Sequence, residues 1–298
     1  MSDYPHIAPE FRHMLAGSSD ERIEFVQTPR WIGYEGASGM LDQLQRLLTM
    51  PTQVRTINLL IVGDPNNGKS TLVRRFVDTC GAASRTAEPK AIKPVILAQS
   101  PPEADEKSLY LSILQRFPTP YRDSDPTSKL RYAVIHLLRR HEVRMLIIDD
   151  IHDLLEGKGS GAKQRQVSTV IKFLGAELAI PIVGVGTRAA LRVLQTDPQL
   201  ASRFDVRSLP LWELNRDFQQ LLRDNEAVLP LRKPSKLYQR EHAKLLFHIS
   251  GGNLGNLRRL LNECAMEAIR SGTECIDAAI IDKYRWLRPT DQIRENVA

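Results

Sequence analysis

Eight residues, Gly63-Asp64-Pro65-Asn66-Asn67-Gly68-Lys69-Ser70, constrain this chain more than any others. They follow an apolar run, Ile57-Asn58-Leu59-Leu60-Ile61-Val62, and precede the helix-like Thr71-Leu72-Val73-Arg74-Arg75-Phe76-Val77. A strand, a glycine-bounded loop and a helix in that order are the setting of a phosphate-binding P-loop. Gly63 lets the chain leave the strand in a conformation that a side chain would hinder, and Gly68 lets the backbone approach a phosphate closely. From Gly63 to Thr71, successive N–H groups and the positive end of the helix would cradle the anion. Lys69 would reach the β- and γ-phosphates of ATP, and the Ser70 hydroxyl would ligate Mg²⁺. An ordinary glycine turn is the competing reading.

The other half of such a site is found at Met145-Leu146-Ile147-Ile148-Asp149-Asp150. A short continuous apolar run reads as a buried parallel strand. Ligands in open α/β sheets collect at the carboxyl ends of such strands. Asp149 is therefore placed to hold Mg²⁺ through its water shell, and Asp150 to orient or deprotonate an attacking water. Alternatively, both acids cap the helix that follows. An aspartate at 150 is one methylene shorter than a glutamate, which suits slow hydrolysis. The run 180–186 ends at Thr187, which either contacts the γ-phosphate or caps the helix 188–195. Arg203 closes a short helix before the strand-like 205–211. It either reaches a neighbouring subunit's γ-phosphate as a finger in trans or answers its own helix dipole.

The chain alternates strands (57–62, 94–98, 145–148, 180–185, 206–211) with helices, which argues for an α/β fold with a parallel five-stranded sheet between helices. Residues 1–50 read as a polar, Pro- and Gly-punctuated arm ending in a helix over 38–50. Within it, Trp31-Ile32-Gly33-Tyr34 either walls an adenine or staples the arm to a core. After an α/β domain over 51–211, the strands stop. Helices over 215–227, 235–249, 253–270 and 276–286 make a C-terminal helical lid over 212–287, with a frayed tail, 288–298. Leu254, Leu257, Leu261, Cys264 and Ala268 form an apolar stripe on the third of these helices. Arg258 at the stripe's edge can face a nucleotide across the domain junction, whereas Arg259 turns outward; a solvated arginine pair is the alternative.

With 42% hydrophobic and 26% charged residues the composition is that of a globular protein, and no apolar stretch is long enough for a bilayer. The N-terminus lacks a signal-peptide layout. The odd set Cys80, Cys264 and Cys275 has no metal-ligand spacing, so a reducing cytoplasm is expected. A formal charge of +6 permits nucleic-acid binding without establishing it.

P-loop, acidic strand end, Thr187, Arg203 and Gly255-Asn256-Leu257-Arg258 stand in the order found in AAA+ P-loop NTPases, and the resemblance covers about residues 25–287. More narrowly, Arg30-Trp31-Ile32-Gly33-Tyr34, the helix through Leu41, Leu44 and Leu48, Asn66-Asn67-Gly68-Lys69-Ser70 and Arg74-Arg75-Phe76 resemble the TniB group of transposition ATPases, which are similar to TnsC and MuB. The resemblance implies an ATP-dependent homo-oligomer that coats duplex DNA in a bacterial cytoplasm and recruits a DDE-type transposase, with a targeting adaptor as a further possible partner. It also implies the role called sensor 1 for Thr187 and sensor 2 for Arg258. The departure is Asp150, where glutamate is usual.

Lys107, Arg122 and a glycine-rich basic loop carrying Lys158, Lys163 and Arg165 are the candidates for phosphate contacts with duplex DNA. A solvated charged face is the competing reading. Nothing resembles a base-reading helix, so little sequence preference is expected. A helicase loader or replication initiator shares every nucleotide motif. A small-molecule P-loop kinase would leave the helical C-terminal block and Arg258 without a purpose.

Overall fold

The computed structural model describes residues 4–51, 56–83, 92–101, 105–156, 161–196 and 198–287. A 3₁₀ helix, Pro9–Ala16, opens the chain, followed by α1 (Ser19–Gln27) and α2 (Glu35–Thr49). Strand and helix then alternate: β1 (Asn58–Gly63), α3 (Lys69–Ala83), β2 (Val95–Gln99), α4 (Glu106–Leu114), α5 (Thr127–Arg140), β3 (Met145–Asp149), α6 (Ile151–Glu156) and α7 (Gly161–Leu178). The alternation ends with β4 (Ile182–Gly186), α8 (Arg188–Thr196), α9 (Pro198–Ala201) and β5 (Phe204–Leu209). Helices α10 (Arg216–Glu226), α11 (Arg240–Ser250), α12 (Leu254–Arg270) and α13 (Ala278–Lys283) complete it.

Two compact units result. One is the α/β domain, 35–210; the other joins residues 1–34 to 211–298. The first 34 residues thus group with the C-terminal helices, and α2 groups with the sheet.

The α/β unit holds one sheet among the described residues, all parallel, in the order β2-β3-β4-β1-β5. Strands β1, β3 and β4 are buried along their whole length, as a parallel sheet covered on both faces requires. Alternate residues Leu60, Ile96, Leu146, Ile148 and Ile182 share one cluster with Leu109 of α4, Val134 of α5, Leu174 of α7 and Ala190 of α8. The intervening Leu59, Ile61, Ile147 and Val183 point the other way and are equally buried. Leu72, Val73 and Phe76 of α3, which packs on β1, β2 and β4, are buried as well. Asn58 is 6% exposed, and its Oδ1 accepts the Ile182 N–H at 2.9 Å, fixing where β4 begins. The sheet brings five strand ends to one edge: Gly63, Gln99, Asp149, Gly186 and Leu209. Gly63 pairs with Leu209, Gln99 with Asp149, and Val62 with Gly186.

In the other unit, α10–α13 bury Phe218, Leu222, Leu246, Leu257, Leu261, Cys264, Ala268 and Ile281 around one core, with Val26 of α1 among them. The expected stripe on α12 is this core's spine. Helix α1 begins with a capping box, the Ser18 side chain accepting the Glu21 N–H while the Glu21 carboxylate accepts the Ser18 N–H at 2.7 Å. Helix α11 starts at Arg240 rather than at 235. The buried Glu226 carboxylate accepts the N–H groups of Ser235, Lys236 and Leu237 at 2.8–2.9 Å, holding those residues in a turn with Lys236 at φ +52°. Gly252 sits at φ +69°, where a Cβ would lie 2.3 Å from the Trp212 carbonyl oxygen. The Trp212 N–H in turn donates to the Gly252 carbonyl at 2.8 Å.

The N-terminal segment is fastened by a buried ion. Arg22 is 1% exposed and donates to the Pro230 carbonyl from Nε at 2.9 Å and to Glu274 from both terminal nitrogens. Burial raises the Glu274 carboxyl, but hydrogen bonds from Arg22 and Arg232 more than offset this and leave it below its ordinary value. Removing one partner of a buried pair costs about 3–5 kcal/mol, because the other charge stays buried and unmatched. Arg22→Ala is therefore expected to lower stability by about that amount in urea titrations. In wild type the Glu274 contribution is present above the unfolded carboxyl value of 4.5 and is lost as acid carries the pH down through the lower folded value.

Candidate nucleotide site

The loop from Gly63 to Ser70 lies at the strand-end edge of the sheet. A Cβ at Gly63 would come within 2.7 Å of the Leu209 carbonyl oxygen, so β5 excludes any side chain there. Asn66 (φ +59°) and Gly68 (φ +83°) are both left-handed, one tolerable for asparagine and the other for glycine. Between them Asn67 turns inward, 2% exposed, and its Nδ2 donates to the Leu209 and Pro210 carbonyls at 3.0 and 2.9 Å. Asp64 is half-buried, and Pro65, Asn66 and Thr71 are exposed at the mouth. Lys69 is 7% exposed and its Nζ donates to the Gly63 and Asp64 carbonyls at 2.9 and 2.7 Å. Burial holds its ammonium below the ordinary value, against the opposing pull of Asp150, Asp149 and Asp64. A buried cation whose hydrogen bonds, among the described residues, go to loop carbonyls is well matched to phosphate oxygens.

Asp149 ends β3 and is 1% exposed. Its Oδ1 accepts the Asp150 N–H at 3.1 Å, and its Oδ2 is buried with no protein hydrogen-bond partner among the described residues. Burial raises this carboxyl above its ordinary value. A hydrogen bond from the Ser70 side chain opposes the rise, and the Asp150 charge adds to it. An unmatched carboxylate oxygen beside a serine hydroxyl is the donor set for Mg²⁺, which binds through one or two carboxylates together with substrate phosphates. Ser70 and Asp149 fit that ion.

Strand β4 lies between β3 and β1, and its glycines make the meeting possible. A Cβ at Gly184 would stand 2.8 Å from Ile151 Cδ1 and 3.1 Å from Leu60 Cδ1. A Cβ at Gly186 would stand 3.3 Å from His152 Nδ1. Helix α6 therefore closes directly onto β4. Thr187, half-buried, follows Gly186 at the tip of the strand beside β1, and its carbonyl accepts the Ala190 N–H at 3.1 Å.

Asp150 adopts φ +52°, a conformation aspartate tolerates better than glutamate because its short side chain bonds locally. The shorter acid is thus consistent with the backbone it sits on. Gln99, which ends β2 in register with Asp149, donates from Nε2 to Asp150 Oδ2 at 2.6 Å. Neither Gln99 nor His152, whose buried Nδ1 lacks a protein partner among the described residues, is in the sequence-based set. The signal for Gln99 was its place, a polar residue closing an apolar strand; for His152 it was a helical position two residues past the acid pair.

The remaining candidates fall elsewhere. The Arg203 carbonyl accepts the Asn58 N–H at 2.9 Å, so its backbone lies at the opposite edge of the sheet from its own loop. Arg258, in the other unit, donates from Nη1 to the Arg30 carbonyl and from Nη2 to Thr28 O at 3.4 Å; burial lowers its guanidinium. Tyr34 packs edge-on against Trp212 at 5.0 Å in that same unit, as a staple would. Lys107 lies half-buried in the first turn of α4, and Arg122 is exposed in a turn whose N–H donates to Asp125 at 3.2 Å. Lys158 lies outside the described residues. Lys163 and Arg165 sit on α7, not in a loop, since Ala162-Lys163-Gln164-Arg165-Gln166 is a run of strong helix formers.

Folding holds the Asp149 charge out of water, so neutralising it relieves the ligand-free protein. Asp149→Asn is expected to raise the thermal midpoint by about 2–4 °C. In wild type the sign is that of a raised acid: stability improves as the pH falls through the folded value, which stands above the ordinary 3.8. Calorimetry at several pH values, without nucleotide, checks both.

The profile of the bacterial TniB protein family matches residues 22–214. No curated protein sequence matches. Among solved structures, the ORC2 protein of Aeropyrum pernix, in ADPNP–ADP complexes, superposes with a TM-score of 0.65 at 15% identity, over 90% of this chain and 72% of that one. Cdc6p from Pyrobaculum aerophilum gives 0.60 at 19% identity, over 84% and 67%. Aeropyrum pernix ORC1 in complex with DNA gives 0.61 at 15% identity, over 92% and 71%. At such identities the likeness is one of fold, the AAA+ fold. The family match spans more than half of the chain, and the conclusion is direct: this chain belongs to the TniB family, an ATPase with the AAA+ fold.

Proposed function

We propose that this chain is an ATP-dependent, DNA-binding regulator of transposition that assembles on duplex DNA, marks the target and recruits a DDE-type transposase. The family match over residues 22–214 carries this reading. The buried Lys69 and the unmatched Asp149 oxygen support its dependence on ATP. Lys69 and the loop amides grip the triphosphate. Mg²⁺ held by Ser70 and Asp149 would neutralise charge on the β- and γ-phosphates. Asp150, held by Gln99, orients the attacking water, and Thr187 at the neighbouring strand tip contacts the γ-phosphate. Arg203 serves a neighbouring subunit, and Arg258 reports the phosphate state to the helical unit. Hydrolysis is slow and regulatory, dissolving the assembly. Lys107, Arg122, Lys158, Lys163 and Arg165 contact DNA phosphates without reading sequence. No described helix is long and apolar enough to cross a membrane, and the chain works at the bacterial nucleoid.

A replication initiator or helicase loader is the second reading, favoured by the likeness to ORC and Cdc6 chains, one of them solved with DNA. Retention of a replicative helicase rather than a transposase in pull-downs would select it.

Electron microscopy with duplex DNA and a non-hydrolysable ATP analogue is expected to show helical or ring assemblies; monomers with no DNA retained would refute the proposal. Lys69→Ala is expected to abolish assembly. DNA retention should fall steeply, by about 10³-fold or more between 50 and 200 mM salt if six or more phosphates are contacted. Asp150→Asn should lower kcat about 10²-fold or more, with KM little changed, and should trap the assembled state. Unchanged turnover in that variant would remove Asp150 from the base role.

A further inference from the structure

The Asn67 carboxamide holds two consecutive carbonyls, those of Leu209 and Pro210. Pro210 is the last residue of the α/β unit, and Leu211 opens the other. The chain passes between the units at two places, 34/35 and 210/211, and the P-loop grips the second. The strand that leads there needs such a grip. Among the described residues β5 lies at the sheet edge, paired with β1, and its residues 205–208 are exposed. The other end of the loop touches the same point, since Gly63 pairs with Leu209 and leaves no room for a Cβ against its carbonyl.

Lys69 donates to the carbonyls of Gly63 and Asp64, and phosphate oxygens compete for those same ammonium protons. Asn66 and Gly68, both left-handed, fix the direction of the side chain between them, so a displacement of the loop is carried to the carboxamide. We propose that Asn67 is a positioning residue that couples phosphate occupancy of the loop to the crossing at Leu209–Leu211, so that ATP and ADP set the entry to the helical unit differently. This rests on nucleotide binding at the loop.

Amide hydrogen exchange over residues 208–214, at saturating non-hydrolysable ATP analogue and at saturating ADP, tests it. Wild type is expected to exchange at rates differing about fivefold or more between the two nucleotides. Asn67→Ala, and the near-isosteric Asn67→Asp, which cannot donate to either carbonyl, are expected to erase that difference. A difference of wild-type size in both variants would overturn the proposal. So would loss of nucleotide binding in both, which would place the side chain in the phosphate grip itself. Binding by wild type with no difference over 208–214 overturns the coupling alone. No binding by wild type overturns the nucleotide reading and the coupling with it.

Discussion

A carboxylate kept out of water at the end of β3 is what the α/β unit is organised around. Burying a charge costs several kcal/mol unless partners compensate, and Asp149 is compensated only in part, by the Ser70 hydroxyl, one backbone N–H and the charge of Arg74. The remainder is a standing demand for a cation. Lys69 poses the same problem with the opposite sign, satisfied by two loop carbonyls that a phosphate can replace. Two buried charges near enough to act on each other electrostatically are an arrangement that a metal–polyphosphate ligand would suit, and under the proposed function ligand-free stability is given up to keep them there.

Glycine decides how closely these charges approach. Gly184 and Gly186 strip β4 of side chains where it runs between the acidic strand and the P-loop strand, so α6 settles onto bare backbone. Gly63 does the same where β1 meets β5. Asn66 and Asp150 are left-handed in this region, as Glu142, Ala179, Lys236 and Glu274 are elsewhere. The loop is consequently tied to two neighbours, to the acid pair through Ser70 and to the edge strand through Asn67.

The C-terminal helices follow a different logic. Their core is an ordinary amphipathic bundle, but the buried charges Arg22, Glu226 and Glu274 set the path of its connections. Glu226 holds back the start of α11, and the Arg22–Glu274 pair recruits the N-terminal segment into the unit. Sequence periodicity gave no hint of either, because each bond joins residues 9 to 252 positions apart. The capping box at Ser18 and Glu21 was a local signal for α1, hidden by the polar composition around it.

What the sequence alone determined is whatever depends on neighbours along the chain: the strand–loop–helix of the P-loop, the apolar strand ending in Asp149 and Asp150, the parallel α/β class, and the stripe on α12. Each is written in residue type and spacing, since backbone conformation and burial period are local properties. The tertiary structure decided the rest. It set the strand order that places Thr187 beside the loop, paired Gln99 with Asp150, put Arg203 at the far edge, and led Asn67 to the carbonyls of Leu209 and Pro210. Those are contacts across the sheet, and sheet order is a matter of which surfaces pack, a property that no stretch of sequence carries by itself.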